Sequence, residues 1–179
     1  MAVKDRDCRD GFTLIELLVV LAIIALLTGL LLPVLSRGPG EARSAACLSN
    51  LRQLALGFQM YASEHDGKLP SEEFEMMWEE LLDPYVGDSR VYICPADADA
   101  AILNAGISYA GRDTLAVDDP ASSLSGRNLG TISRSDLILV FDSIPGWHNE
   151  TMIQAAAVDS SSRRYDHAEF ARNLMWRVD

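Results

Sequence analysis

Apolar residues run almost without interruption through the first part of the chain. In residues 17–32 only Thr28 and Gly29 break the run, and between Phe12 and Ser36 the only charged side chain is Glu16. A helix rising 1.5 Å per residue needs about 20 residues to cross a hydrocarbon core of roughly 30 Å. The 21 residues of 12–32 meet that length. Twelve of residues 17–32 are Leu, Ile or Val. At roughly −0.3 to −0.6 kcal/mol each, they favour insertion by about 4–7 kcal/mol. A carboxylate costs at most about 3 kcal/mol at the bilayer centre and less near a helix end. Insertion wins in spite of Glu16, so the pattern predicts a transmembrane helix over 12–32.

The pattern then changes. Pro33 follows the run, and Ser36-Arg37-Gly38-Pro39-Gly40 comes next. Pro39 lacks an amide hydrogen and meets the carbonyl of Leu35, and its flanking glycines weaken a helix further. A kink or short break is expected there, with the helix resuming at Glu41. Over 45–62, Leu48, Leu51, Leu54, Ala55, Phe58, Tyr61 and Ala62 recur at steps of three and four. They make one apolar stripe, which the head's own sheet is expected to cover. Gly67 and Pro70 close this helix.

A second helix is predicted from Ser71 as N-cap, with Glu72 and Glu73 at its positive end. Its apolar face is Phe74, Met77, Trp78, Leu81 and Leu82, and Asp83-Pro84 ends it. Short strands are predicted at 91–93, 107–109, 137–141 and 174–176, between Ser- and Asp-rich loops at 111–128 and 158–164. The class is α+β: a long N-terminal transmembrane and amphipathic helix, kinked near 33–40, packed on a small antiparallel β-sheet head. The divisions are a transmembrane helix at 12–32, the soluble half of the same helix at 33–66, and a head at 67–179.

Charge narrows the function. The net charge is −11, and an acidic surface argues against nucleic-acid binding, which needs a basic patch. Residues 1–11 are neutral overall, with Lys4, Arg6 and Arg9 set against Asp5, Asp7 and Asp10. No nucleophile elbow, H-E-x-x-H, P-loop or dinucleotide fingerprint occurs. No catalytic residue or cofactor is assigned, and the chain does not read as an enzyme. His65, His148 and His167 lack zinc-ligand spacing with Cys47 and Cys94. Asp113, Asp118 and Asp119 share one loop and are the candidates for calcium, against the plainer reading of a solvated acidic loop.

The sharpest signal is Gly11-Phe12-Thr13-Leu14-Ile15-Glu16, preceded by basic residues and followed at once by the apolar run. An ordinary secretory signal is cut after its apolar region at a small-residue site, and none directly follows Leu32. The stretch resembles the prepilin signal of the type IV pilin-like family, which reads G-F-T-L-I-E before an apolar helix. That resemblance implies that 1–11 is a leader removed by a prepilin peptidase after Gly11. It also implies N-methylation of Phe12 and retention of the apolar helix in the mature protein. The new amine on Phe12 lies four residues before Glu16, on one helix face. It could pair with that carboxylate within a chain or, as the resemblance implies, between neighbouring subunits. The alternative is a carboxylate that snorkels into the headgroups unpaired.

The head carries a second resemblance. Cys47-Leu48-Ser49-Asn50-Leu51-Arg52-Gln53-Leu54 is similar to the C-x-N-N-L-R-Q-L segment of a large group of bacterial prepilin-like proteins. Cys94-Pro95-Ala96-Asp97 resembles that group's C-P-x-D, Ser108-Tyr109 its following strand, and the stretch from His167 to Trp176 its closing strand. Cys8 would leave with the leader. Cys47 and Cys94 would lie on the exported side, where a bridge between them and two separately buried thiols explain them about equally well.

The implied function is a structural subunit, a pseudopilin, assembled through its N-terminal helix into a type II secretion pseudopilus or type IV pilus-like filament. Its implied partners are the prepilin peptidase, other pilin-like subunits and an inner-membrane assembly platform. The implied location is the bacterial inner membrane, single-pass, with the C-terminal head in the periplasm or on a surface filament. The alternative is a membrane-tethered periplasmic ligand-binding module that does not polymerise.

Overall fold

The computed structural model describes residues 12–71, 78–97, 107–114, 121–143 and 151–178. Contacts divide the chain into two units, Met1–Pro39 and Gly40–Asp179. The described part of the first unit is helical and belongs to α1, Leu14–Glu64, a helix of 51 residues that continues into the second unit. The break expected within 36–40 is absent, because helical backbone is assigned through Gly38, Pro39 and Gly40. Pro39 removes a single donor from the ladder, and hydrogen bonding on both sides carries on without it. No kink near 33–40 is shown. Among the described residues, no helix is long and apolar enough to cross a membrane.

In the second unit α1 buries one stripe. Ser44, Cys47, Leu51, Leu54, Ala55, Phe58, Tyr61 and Ala62 are buried, at steps of three and four, while Arg52, Gln53 and Leu56 face out. The helix stops where Asp66 (φ 55°) and Gly67 (φ 78°) turn left-handed and the Gly67 amide bonds the Ala62 carbonyl at 2.8 Å. Helix α2, Trp78–Val86, packs across the stripe, with Trp78 stacked on Phe58 at 5.6 Å. Gly57 permits this approach, since a Cβ there would lie 3.0 Å from Val86 Cγ2. Asp83-Pro84 does not end α2: Pro84 lies inside it, and Gly87 at φ 69° terminates it. Of the second helix expected from Ser71, residues 72–77, including Phe74 and Met77, lie outside the described residues.

The sheet is a four-stranded antiparallel meander in the order β1-β2-β3-β4. Its strands are β1 (Tyr109–Gly111), β2 (Ile138–Asp142), β3 (Met152–Ala157) and β4 (Ser162–Asp166). Leu139, Val140 and Ala156 join the α1 stripe in one core, and Ile138, Phe141, Ile153, Ala155 and Tyr165 form a second core on the opposite face. A register shift between Ile138 and Val140 lets β2 supply both. Helix α3, His167–Leu174, covers the second face through Phe170, whose ring meets Phe141 edge-on at 5.0 Å.

Two predicted strands are corrected. Residues 91–93 belong mostly to a 3-10 turn, Ser89–Tyr92, capped by the Asp88 carboxylate on the Arg90 amide. Residues 174–176 are the end of α3 and the segment after it. Asp166 caps that helix by accepting from the Glu169 amide at 2.7 Å, and this local bond starts a helix where apolar content suggested a strand.

A buried arginine holds the C-terminal segment in place. Arg112, 1% exposed, donates from Nε to the Ser122 carbonyl and from Nη1 to the Ile138 carbonyl and Asn173 Oδ1. Its Nη2 donates to the carbonyls of Asn173, Leu174 and Trp176 at 2.8–3.1 Å. These last three are at the carboxyl end of α3, where helix carbonyls lack intrahelical donors and a cation is favourable. Burial lowers the guanidinium pKa to about 10, and nearby Asp113 opposes the shift. It stays charged at neutral pH. Arg112→Ala strips several buried carbonyls of their donor at once. We expect it to destabilise the head by at least about 3 kcal/mol in urea unfolding. Arg112→Lys should recover little, because one ammonium cannot span the same acceptors.

Candidate functional site

The candidate site is the amino end of α1. Gly11 lies outside the described residues; Phe12 is 79% exposed. Thr13 is the N-cap. Its amide and hydroxyl donate to Glu16 Oε2 at 2.9 and 2.6 Å, and the Glu16 amide donates back to Thr13 Oγ1 at 3.3 Å. This reciprocal arrangement is a capping box, and its T-x-x-E signature was present in Thr13-Leu14-Ile15-Glu16 all along. In the uncleaved chain the partner of the Glu16 carboxylate is Thr13. The apolar side chains beyond it are exposed, from Leu14 at 81% to Leu30 at 67%.

The remaining site residues lie in the second unit. Cys47 on α1 and Cys94, just after the 3-10 turn, are joined by a disulfide, and Asn50 Nδ2 donates to the Ile93 carbonyl at 3.0 Å beside it. Asp113 Oδ1 accepts from the Leu124 amide at 2.8 Å, which gives it a role in holding its own loop. Asp118 and Asp119 lie outside the described residues, as do Asp99 and His148. Among the described residues no three His, Cys, Asp or Glu side chains converge to hold a metal ion. His65 stacks on Tyr61 with ring centroids 3.8 Å apart, and Asp88 is engaged by Arg90.

One cleft of about 280 Å³ opens beside α2, lined by Glu79, Glu80, Asp83, Arg90, Tyr92 and Ile93 among others. Burial raises the Glu79 carboxyl. Burial with Asp83 and Glu79 nearby raises the Tyr92 hydroxyl to about 12.

Comparison with known proteins bears on the amino end. Residues 6–32 match the family model of the prokaryotic N-terminal methylation motif, the signal carried by type IV pilins and pseudopilins. The chain carries that signal at its amino end. No curated protein and no solved structure matches the chain. The comparisons do not confirm the resemblance of the head, at residues 47–54, 94–97, 108–109 and 167–176, to prepilin-like proteins.

The disulfide closes a loop of 47 residues. Removing it with Cys94→Ser should cost about 4 kcal/mol on the chain-entropy model. Urea unfolding of the variant beside the wild type, with and without reductant, measures this, and reductant should shift only the wild type.

Proposed function

We propose that the protein is a pilin-like structural subunit, a pseudopilin. It is made as a precursor, held in the inner membrane by residues 12–32, and assembled through its N-terminal helix into a type II secretion pseudopilus or related filament. The observation that carries this reading is the methylation motif at residues 6–32 running directly into the apolar segment. The exposure of that segment's side chains supports it. A contiguous apolar surface of this size needs lipid or a partner to cover it.

Glu16 has two roles in this reading. Before assembly its carboxylate caps α1 through Thr13, an interaction worth about 1 kcal/mol. Cleavage after Gly11 creates an amine on Phe12, and in a filament the carboxylate takes a neighbour's amine and sets the register. In a low-dielectric setting an ion pair outweighs a cap of that size, so the exchange is favourable. The peptidase, the other subunits and the assembly platform follow as partners. The acidic cleft beside α2 is what the rival reading would use, a tethered binding module that does not polymerise.

Co-expression with a prepilin peptidase should shorten the chain by its first eleven residues, expose Phe12 and add one methyl group. Intact-mass and N-terminal analysis read this directly, and an unchanged mass defeats the proposal. Glu16→Ala should still insert and be processed but drop out of sheared filaments by tenfold or more. Normal incorporation of that variant moves the balance to the tethered module.

A further inference from the structure

A row of polar residues crosses the sheet beneath α1. Tyr109 on β1 is paired with Asp142 on β2. Asp142 Oδ2 accepts from the Gln154 amide on β3 at 3.3 Å, and Gln154 is paired with Arg164 on β4. The row reaches the helix above it. Gln154 Nε2 donates to Ser44 Oγ at 2.6 Å, and Arg164 Nη2 donates to Ser44 Oγ and Glu41 Oε2 at 2.7 and 2.8 Å. Ser44, Asp142 and Gln154 are all buried, at 3%, 4% and 1% exposure.

The Tyr109 hydroxyl in this row has no hydrogen-bond partner, and neither have two acceptor oxygens, Asp142 Oδ1 and Gln154 Oε1. A buried carboxylate needs donors or a cation to offset lost hydration. From β1, Asp142 faces the Tyr109 hydroxyl, which lies near Asn50 of α1. From β3 it faces Gln154. The nearest cation of the row, Arg164, is engaged with Ser44 and with Glu41, which is itself an anion. Asp97, bonded to the Ser108 hydroxyl at 2.8 Å, adds negative potential at Tyr109. An ionised Asp142 therefore meets one long amide bond and no compensating cation among the described residues.

We propose that Asp142 is protonated in the folded head and acts as a pH-responsive latch between the sheet and the first head-bound turns of α1. In the neutral form its O–H adds a donor to a row whose Gln154 Oε1 lacks one, and the row holds Ser44 through Gln154. Ionisation sends the proton to water and leaves a dry carboxylate with only the Gln154 backbone amide as donor. The row loosens, and its grip on Ser44 and Glu41 goes with it. Burial supports this by raising the carboxyl pKa from 3.8 to about 7, against a smaller opposing effect of the Gln154 amide. The folded state then binds more protons than the unfolded state between about pH 4 and 7. Stability is highest below that window, falls as pH rises through it, and levels off above.

The test is urea unfolding of the full chain in detergent at pH 5 and pH 8, wild type beside Asp142→Asn. The wild-type folding equilibrium should weaken at least tenfold at pH 8, whereas the variant should change less than about threefold and be the more stable of the two there. Amides of residues 44–50, corrected for intrinsic exchange, should lose protection at pH 8 only in the wild type. Parallel profiles in the two proteins, or unchanged protection at 44–50, overturn the latch. So does recovery of wild-type stability at pH 8 on adding K⁺ or Ca²⁺, which assigns the two oxygens to a cation. Should the variant fail to fold, the wild-type ¹³C carboxyl resonance of Asp142 decides: a midpoint above pH 6 supports the latch, and one near 4 overturns it.

Discussion

Burial of one face of α1 against the sheet is the constraint on which the head depends. Leu51 and Leu54 are fully buried, and side chains of that size contribute about 1.5–3 kcal/mol each when removed from water. The sheet alone could not supply this. Its strands span three to six residues, and a meander so small needs a helix on its face to be stable. With α1 on one face and α3 on the other, β2 and β3 become interior strands. Their residues are accordingly buried almost throughout. The helix that serves the amino end is thus also the wall of the core.

The interior is not purely apolar, and among the described residues its two buried ionisable residues of the charged types, Arg112 and Asp142, are handled in opposite ways. Arg112 is surrounded by carbonyls, each of which would otherwise lack a donor, so the desolvation of one cation is offset by several charge-assisted bonds. Asp142 has one long bond and an orphan oxygen. A single burial rule governs both: a charge survives in a dry place only with its full complement of partners. Where those are missing, the group gives up its charge instead.

Much of this was legible in the chain because its signals are local and periodic. The stripe from Leu48 to Ala62, the stop at Gly67 and a strand at 137–141, one residue out of step with the observed Ile138–Asp142, are readable from spacing and turn chemistry. The hairpin of β3 and β4 was not. Three alanines and a glutamine make β3 look like no strand, yet they are small because α1 and α3 press on both of its faces. Its turn was hidden as well: Ser160 takes the left-handed conformation at φ 62° where glycine or asparagine would have announced it. Arg112 lies in the stretch predicted as a loop at 111–128 and Asp142 just past the strand predicted at 137–141, and only long-range topology puts them inside. At the amino end the T-x-x-E spacing makes the Thr13–Glu16 cap legible in the sequence.

The position of the disulfide has a mechanical meaning. Cys47 is the first fully buried side chain of the stripe after Ser44, and its bond to Cys94 ties the helix to a segment 47 residues further on. Tension applied to the helix from its amino side therefore meets the polar contacts of Glu41 and Ser44 and then a covalent cross-link before it reaches Leu51 and the packing beyond. Hydrophobic contacts slide under shear at modest force, whereas a sulfur–sulfur bond does not. The cross-link keeps that helix from being drawn out of the globular part.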